Sequence, residues 1–145
     1  MTTQIRNYEV KIQGSPEHVW HALTDPKLTE QYYYDTRVES DWKVGSKIFY
    51  RDSEGRSILE GNIVQCEPNE RLVTTFEPKW AENAPPSSTV IWEIKRAGKH
   101  CALHLTHRDL DLDTAQMVEG AWQGILDRLK EVVESKTSSV KQRRV

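Results

Sequence analysis

Between Ile5 and Ile12 apolar and polar side chains alternate, Tyr8, Val10 and Ile12 against Asn7, Glu9 and Lys11, and this two-residue period predicts a half-buried strand. The period changes after Gly14. Ser15 followed by Pro16 marks a helix start, Ser15 capping free N–H groups and Pro16 sitting where a missing N–H does no harm. Val19, Trp20, Ala22 and Leu23 then fall on helical spacing until Thr24-Asp25-Pro26, where the residue before proline leaves the α region. A second short helix opens at Pro26 and runs through Leu28 to Tyr32, the first of three consecutive tyrosines.

Beyond Arg37 the chain reads as six short strands, at 38–42, 46–51, 57–66, 71–77, 88–95 and 100–108. Most of the segments between them are turn-forming: Val44-Gly45, Asp52-Ser53-Glu54-Gly55, Glu67-Pro68-Asn69-Glu70 and Arg96-Ala97-Gly98-Lys99. Short turns between consecutive strands demand antiparallel pairing. The longer connection, Pro78 to Ser87, holds two adjacent prolines and reads as a surface loop whose Trp80 folds back as a clasp. Finally Met117, Val118, Trp122, Ile125, Leu126, Leu129, Val132 and Val133 recur at three- and four-residue steps, predicting one long amphipathic helix over about Thr114–Ser135, capped by Asp113 or Thr114. The pattern is that of an α+β domain: a curved antiparallel sheet of six or seven strands, two short helices after the first strand, and a long C-terminal helix closing the sheet.

A length of 145 residues suits one domain, expected over residues 1–136, with the basic ending at 137–145 a flexible tail. The net charge of -2 gives no electrostatic case for nucleic acid or an anionic membrane, and Lys141, Arg143 and Arg144 read as solvated. No run approaches the ~20 apolar residues a membrane span needs, and the N-terminus lacks a secretory pattern, so a cytoplasmic address is expected. Cys66 and Cys101, far apart and outside any CxxC pair, are expected as reduced structural thiols.

Four stretches together resemble a known superfamily: GSPEHVWHALTDP at Gly14–Pro26, DWKVGSKI at Asp41–Ile48, EGNIVQCEPNERLVTTFEP at Glu60–Pro78 and GAWQGILDRLKEVVE at Gly120–Glu134. The chain resembles the START-related superfamily (SRPBCC) of polyketide cyclases, birch-pollen-allergen-like proteins and lipid-transfer START domains. Within it the closest likeness is to the C-terminal domain of the activator of the heat-shock protein 90 ATPase. The resemblance spans nearly the whole chain and implies a helix-grip fold. It does not include that co-chaperone's N-terminal domain, through which much of the family's chaperone contact is made, so direct ATPase activation is not expected. Fold likeness implies a scaffold and leaves chemistry to the pocket.

A curved sheet cannot sit flush against one straight helix, so a gap is expected between them, suited to an apolar ligand. The candidate lining is Val118, Trp122, Ile125 and Leu126 from the last helix, with Tyr32, Phe49, Phe76, Trp92 and Leu103 opposite and Trp80 from the long loop. The inward or outward parity of Phe76 and Trp92 stays open, since one residue of register reverses it. At most two of Tyr32, Tyr33 and Tyr34 can point inward, leaving at least one at the rim.

A metal is not expected: His100 and His104 share a strand face ~13 Å apart, and His107 points the other way. His18 and His21 share a helix face, but no Cys stands near them in the sequence and the pair forms no recognised metal motif. GxSxG, HExxH, a phosphate-cradling glycine loop and CxxC are all lacking, and Asp109, Asp111 and Asp113 lack the glycine and distal Glu of a calcium loop. Glu60, His104 or Arg108 could serve proton transfer if they reached the pocket. The leading expectation is therefore a cofactor-free protein that binds or sequesters a small hydrophobic or aromatic molecule, in stress or toxin response, as a monomer or homodimer. The alternatives are a chaperone-contacting module and a cofactor-free cyclase, aromatase or hydrolase.

Overall fold

The computed structural model describes residues 3–79 and 87–143, with side chains to residue 135. The expected first strand is β1 (Gln4–Ile12), whose alternate residues are half-buried. Two helices follow, α1 (Pro16–Thr24) and α2 (Pro26–Tyr32). Ser15 caps α1 by accepting from the His18 N–H at 3.2 Å, and Asp25 ends α1 and caps α2 by accepting from the Lys27 N–H at 2.8 Å. Pro16 and Pro26 open the two helices, where a missing N–H is harmless.

Six further strands form β2 (Arg37–Ser40), β3 (Lys47–Arg51), β4 (Ser57–Glu67), β5 (Arg71–Pro78), β6 (Ser88–Ala97) and β7 (His100–Leu110). They join β1 in one antiparallel sheet ordered β1-β7-β6-β5-β4-β3-β2. A meander would leave β1 beside β2. Instead β1 pairs with β7, across nearly the whole length of the chain, and the two helices occupy the stretch between β1 and β2. The sheet's inner face carries Ile12, Ile48, Ile63, Leu72, Trp92, Leu103 and Leu105, all buried.

The C-terminal helix differs from the sequence expectation. It is two helices, α3 (Leu112–Val118) and α4 (Ala121–Arg143), separated by Glu119 and Gly120. Gly120 has φ +81, a left-handed conformation that glycine adopts without penalty, and this ends α3. The cap of α3 is Asp111, which accepts from the Thr114 N–H at 3.0 Å, in place of Asp113 or Thr114. At the other end the backbone stays helical to Arg143, beyond Ser135. The apolar stripe survives the break: Val118, Trp122, Ile125, Leu126, Leu129 and Val133 are all buried. α4 packs against β1 and α2, and Lys130 Nζ reaches the Lys11 carbonyl on the open edge of β1 at 2.9 Å.

Besides a register shift against β5 between Ile63 and Gln65, two irregularities of β4 bear on the site. Tyr50 pairs with Leu59 and Arg51 with Ser57, so Ile58 is an extra residue without a partner on β3. Further along, Gly61 lies so close to β5 that a Cβ there would stand 2.0 Å from the Thr75 carbonyl oxygen. The neighbouring Asn62 N–H donates to Thr75 Oγ1 at 2.8 Å, tying the strands together at this point. Gly61→Ala should therefore lower the unfolding free energy by about 1–3 kcal/mol, read from a urea midpoint. An unchanged midpoint would mean that β5 can move aside freely.

Candidate functional site

The break between α3 and α4 stands over an apolar cavity of about 310 Å³. Its wall comes from four places: Tyr33 and Tyr34 after α2, Ile58 from the bulge of β4, Phe76 from β5, and Met117, Val118, Ala121, Trp122 and Ile125 from the two helices. Each has a local cause. The chain leaves α2 at Tyr33 and turns through Tyr34 and Asp35, both left-handed at φ +50 and +55, so that Tyr34 comes to the mouth with 47% of its surface exposed. The bulge sets Ile58 out of step with its neighbours and into the wall. Gly120 lets α3 and α4 offer two separate surfaces, Met117 and Val118 from one, Ala121, Trp122 and Ile125 from the other.

Trp122 is the centre of the ring cluster. Its indole lies edge-on to Tyr33 (centroids 5.9 Å apart), Trp92 (5.7 Å) and His107 (5.8 Å), and 6.2 Å from Phe76. Edge-to-face contact suits rings whose faces are electron-rich and edges electron-poor. The indole N–H donates to His107 Nδ1 at 3.0 Å. An indole nitrogen can only donate, so Nδ1 is bare and the imidazole proton sits on Nε2, where it donates to Ser88 Oγ at 2.8 Å. His107 is fully buried, and burial pushes its pKa down to about 4. It is thus neutral near pH 7, and it stands behind the Phe76 and Trp122 wall, its ring 4.6 Å from that of Phe76.

Of the residues expected in the wall, Phe76, Val118, Trp122 and Ile125 meet at this cavity. Tyr32 does not: its hydroxyl donates to the Ala22 carbonyl at 2.8 Å, locking it into the core. Trp92, Leu103 and Leu126 are inward-facing core residues that the cavity does not reach. Phe49 is placed on the opposite face of the sheet, between inward Ile48 and Tyr50, with the Arg51 guanidinium 4.6 Å from its ring centre. Trp80 lies outside the described residues. Tyr33, Tyr34, Ile58, Met117 and Ala121 were not foreseen; the tyrosine triplet pointed to the rim, but nothing in the sequence marks the bulge at Ile58.

The polar candidates do not gather. His104 pairs with Glu9 at 3.1 Å and Arg108 with Asp109 at 3.6 Å, both among exposed or half-exposed partners. Glu60 stands opposite Phe49 and Glu77 on the sheet's outer side. Among the described residues no group of three His, Cys, Asp or Glu side chains could hold a metal ion, and the cavity wall includes no acid, His, Lys or Arg. Cys66 and Cys101 are free, and burial pushes both thiols up, away from the reactive thiolate.

Residues 13–134 match the family model described as "Activator of Hsp90 ATPase homolog 1-like protein". The chain belongs to this family. No curated protein matches it. Similar solved structures include protein MLL2253 from Mesorhizobium loti, at 19% identity and TM-score 0.76, covering 91% of this chain and 98% of that one. The Aha1 dimer from Colwellia psychrerythraea is 20% identical with TM-score 0.74, covering 90% and 96%. CalU16 from Micromonospora echinospora is 22% identical with TM-score 0.74, covering 88% and 73%. At these identities the likeness is one of fold, the helix-grip arrangement of sheet and C-terminal helix. No helix among the described residues is long and apolar enough to cross a membrane.

Proposed function

We propose that this member of the Hsp90-activator-like family binds a small uncharged apolar molecule in the cavity beneath the α3–α4 break. The observation that carries the reading is the cavity itself: about 310 Å³ lined by aromatic and aliphatic side chains, whose side-chain N and O atoms are two phenol oxygens and the Trp122 indole N–H, the last already bound to His107. An apolar cavity of roughly 150 Å³ takes up benzene, so this one suits a molecule of about two rings or a short acyl chain. Its size also falls at the lower end of ordinary ligand sites. Sequestration of such a compound, in stress or toxin response, is the role that follows. Catalysis has less support, because an acid–base enzyme needs titratable groups converging on the substrate.

Two measurements test this. Native mass spectrometry of protein purified gently from its own host should show adducts of a few hundred daltons at most, consistent with the cavity size. Ala121→Phe, which places a ring in the cavity from the first turn of α4, should remove those adducts while leaving the circular dichroism of the fold unchanged. Retention of the adduct by the folded Ala121→Phe protein would locate binding elsewhere. Bare protein mass, together with no thermal shift across a panel of aromatic compounds and lipids, would defeat the reading.

A further inference from the structure

We propose that the Tyr33 hydroxyl is the polar anchor of the cavity and selects a neutral aromatic ligand bearing one oxygen, a ketone or a hydroxyl. This rests on the binding role proposed above and narrows it to a class of ligand. Tyr33 is 3% exposed and lines the cavity. Tyr32 beside it spends its hydroxyl on the Ala22 carbonyl, whereas the Tyr33 hydroxyl has no hydrogen-bond partner among the described residues. It is also not sealed off, for Arg71 Nε is the one fully buried side-chain polar atom left without a partner among those residues. A nearly buried phenol on the wall of an apolar cavity, its oxygen without a partner among the described residues and not fully sealed, has one natural use, to meet a polar atom brought in by a ligand.

The ring is held ready for this. It stacks on Tyr50, centroids 4.5 Å apart and planes 20° from parallel, and it meets Trp122 and Tyr34 edge-on at 84° and 77°. Its backbone is fixed from both sides: the Tyr33 N–H donates to the Thr29 carbonyl at 2.8 Å, and its carbonyl accepts from the Thr36 N–H at 3.0 Å and from Thr36 Oγ1 at 2.6 Å. The hydroxyl therefore sits at a fixed place, and a fixed donor loses little freedom when it binds. Rings at right angles around the cavity favour an aromatic guest, which can extend the same edge-to-face pattern.

Charge is disfavoured for the same reasons that oxygen is favoured. The wall holds no Lys, Arg or His among the described residues, so an anion would give up its hydration for two phenols at most. A neutral carbonyl or hydroxyl needs only the one bond.

The test compares 2-acetylnaphthalene with 2-isopropenylnaphthalene, which has the same shape with CH₂ in place of the oxygen, by titration calorimetry on the full chain. Tyr33→Phe should weaken the ketone about two- to tenfold, the range of one neutral hydrogen bond, and leave the alkene unchanged. 2-Naphthoate should bind the native protein more weakly than the ketone. If Tyr33→Phe leaves ketone binding unchanged while both neutral probes still bind, the anchor is wrong and the cavity reading stands. If neither neutral probe binds the native protein, both fall. Should Tyr33→Phe fail to fold, the native protein decides alone: a ketone bound tenfold or more weakly than the alkene has found no partner, and overturns the anchor, whereas near-equal or tighter ketone binding supports it.

Discussion

Trp122→Ala should lower the unfolding free energy by about 3–5 kcal/mol, the largest loss expected from any single truncation in the chain. The indole is 2% exposed and touches Tyr33, Phe76, Trp92 and His107, so its removal strips contacts from β5, β6, β7 and the Tyr33 turn at once. A truncation elsewhere in the core could be partly offset by collapse of the neighbours. Here the existing cavity of about 310 Å³ already lies on one side of the ring, and the new void would join it. Collapse is then least able to help, and the cost moves to the upper part of its range.

A second loss is specific to this tryptophan. Without the indole N–H, His107 Nδ1 is a buried acceptor with no donor. Trp122→Phe separates the two effects: it keeps most of the apolar contact and removes the N–H, so its cost should be about 1–3 kcal/mol. Both values are read from urea denaturation with an unchanged dependence on denaturant. A Trp122→Ala protein within about 1 kcal/mol of the native one would show that the ring packs against nothing that matters.

Trp122 was also legible in the sequence, because a tryptophan within a three- and four-residue apolar stripe can hardly face water. The rest of the fold was legible for a similar reason: a half-buried sheet writes its period into β1 and β7, and Ser15-Pro16 and Asp25-Pro26 mark their helix starts in residue types that few other structures favour. What failed did so where regularity is broken. Parity in the middle of the sheet was hidden because Val73 and Ile91, opposite in face to Leu72 and Trp92, are also buried, so both faces read as apolar. Ile58 shares the parity of outward Glu60 and Asn62, and only the bulge turns it to the cavity. Tyr32 and Tyr33 exchange roles because the chain leaves its helical course at Tyr33. Gly120 did carry a signal, a glycine inside a helical stripe, but the stripe resumes in phase beyond it and conceals the break.

Acidification should destabilise the fold through His107 before carboxylates do. Its imidazole ordinarily titrates near pH 6.5, and in the folded chain burial pushes that value down to about 4. Between these two values the unfolded chain takes up a proton that the folded chain refuses, so stability is full above about pH 6.5 and declines as the pH falls toward 4. The lost stability is roughly 2 kcal/mol by pH 5 and about 3 kcal/mol once the folded imidazole is itself protonated. Desolvation is the whole cause of the shift, with no charged partner to relieve it, so added salt should change the effect little. His107→Gln supplies the control. It should be less stable than the native protein at pH 7.5, having lost the fit to Ser88 and Trp122, and the difference in urea midpoints should close as the pH is lowered to 5, since the variant has no imidazole to protonate. A difference that stays constant from pH 7.5 to 5 would assign the acid sensitivity to other groups. The outcome also bears on the cavity, because a protonated Nδ1 can no longer accept from Trp122, and the hydrogen bond lost is the one that holds the cavity's central ring.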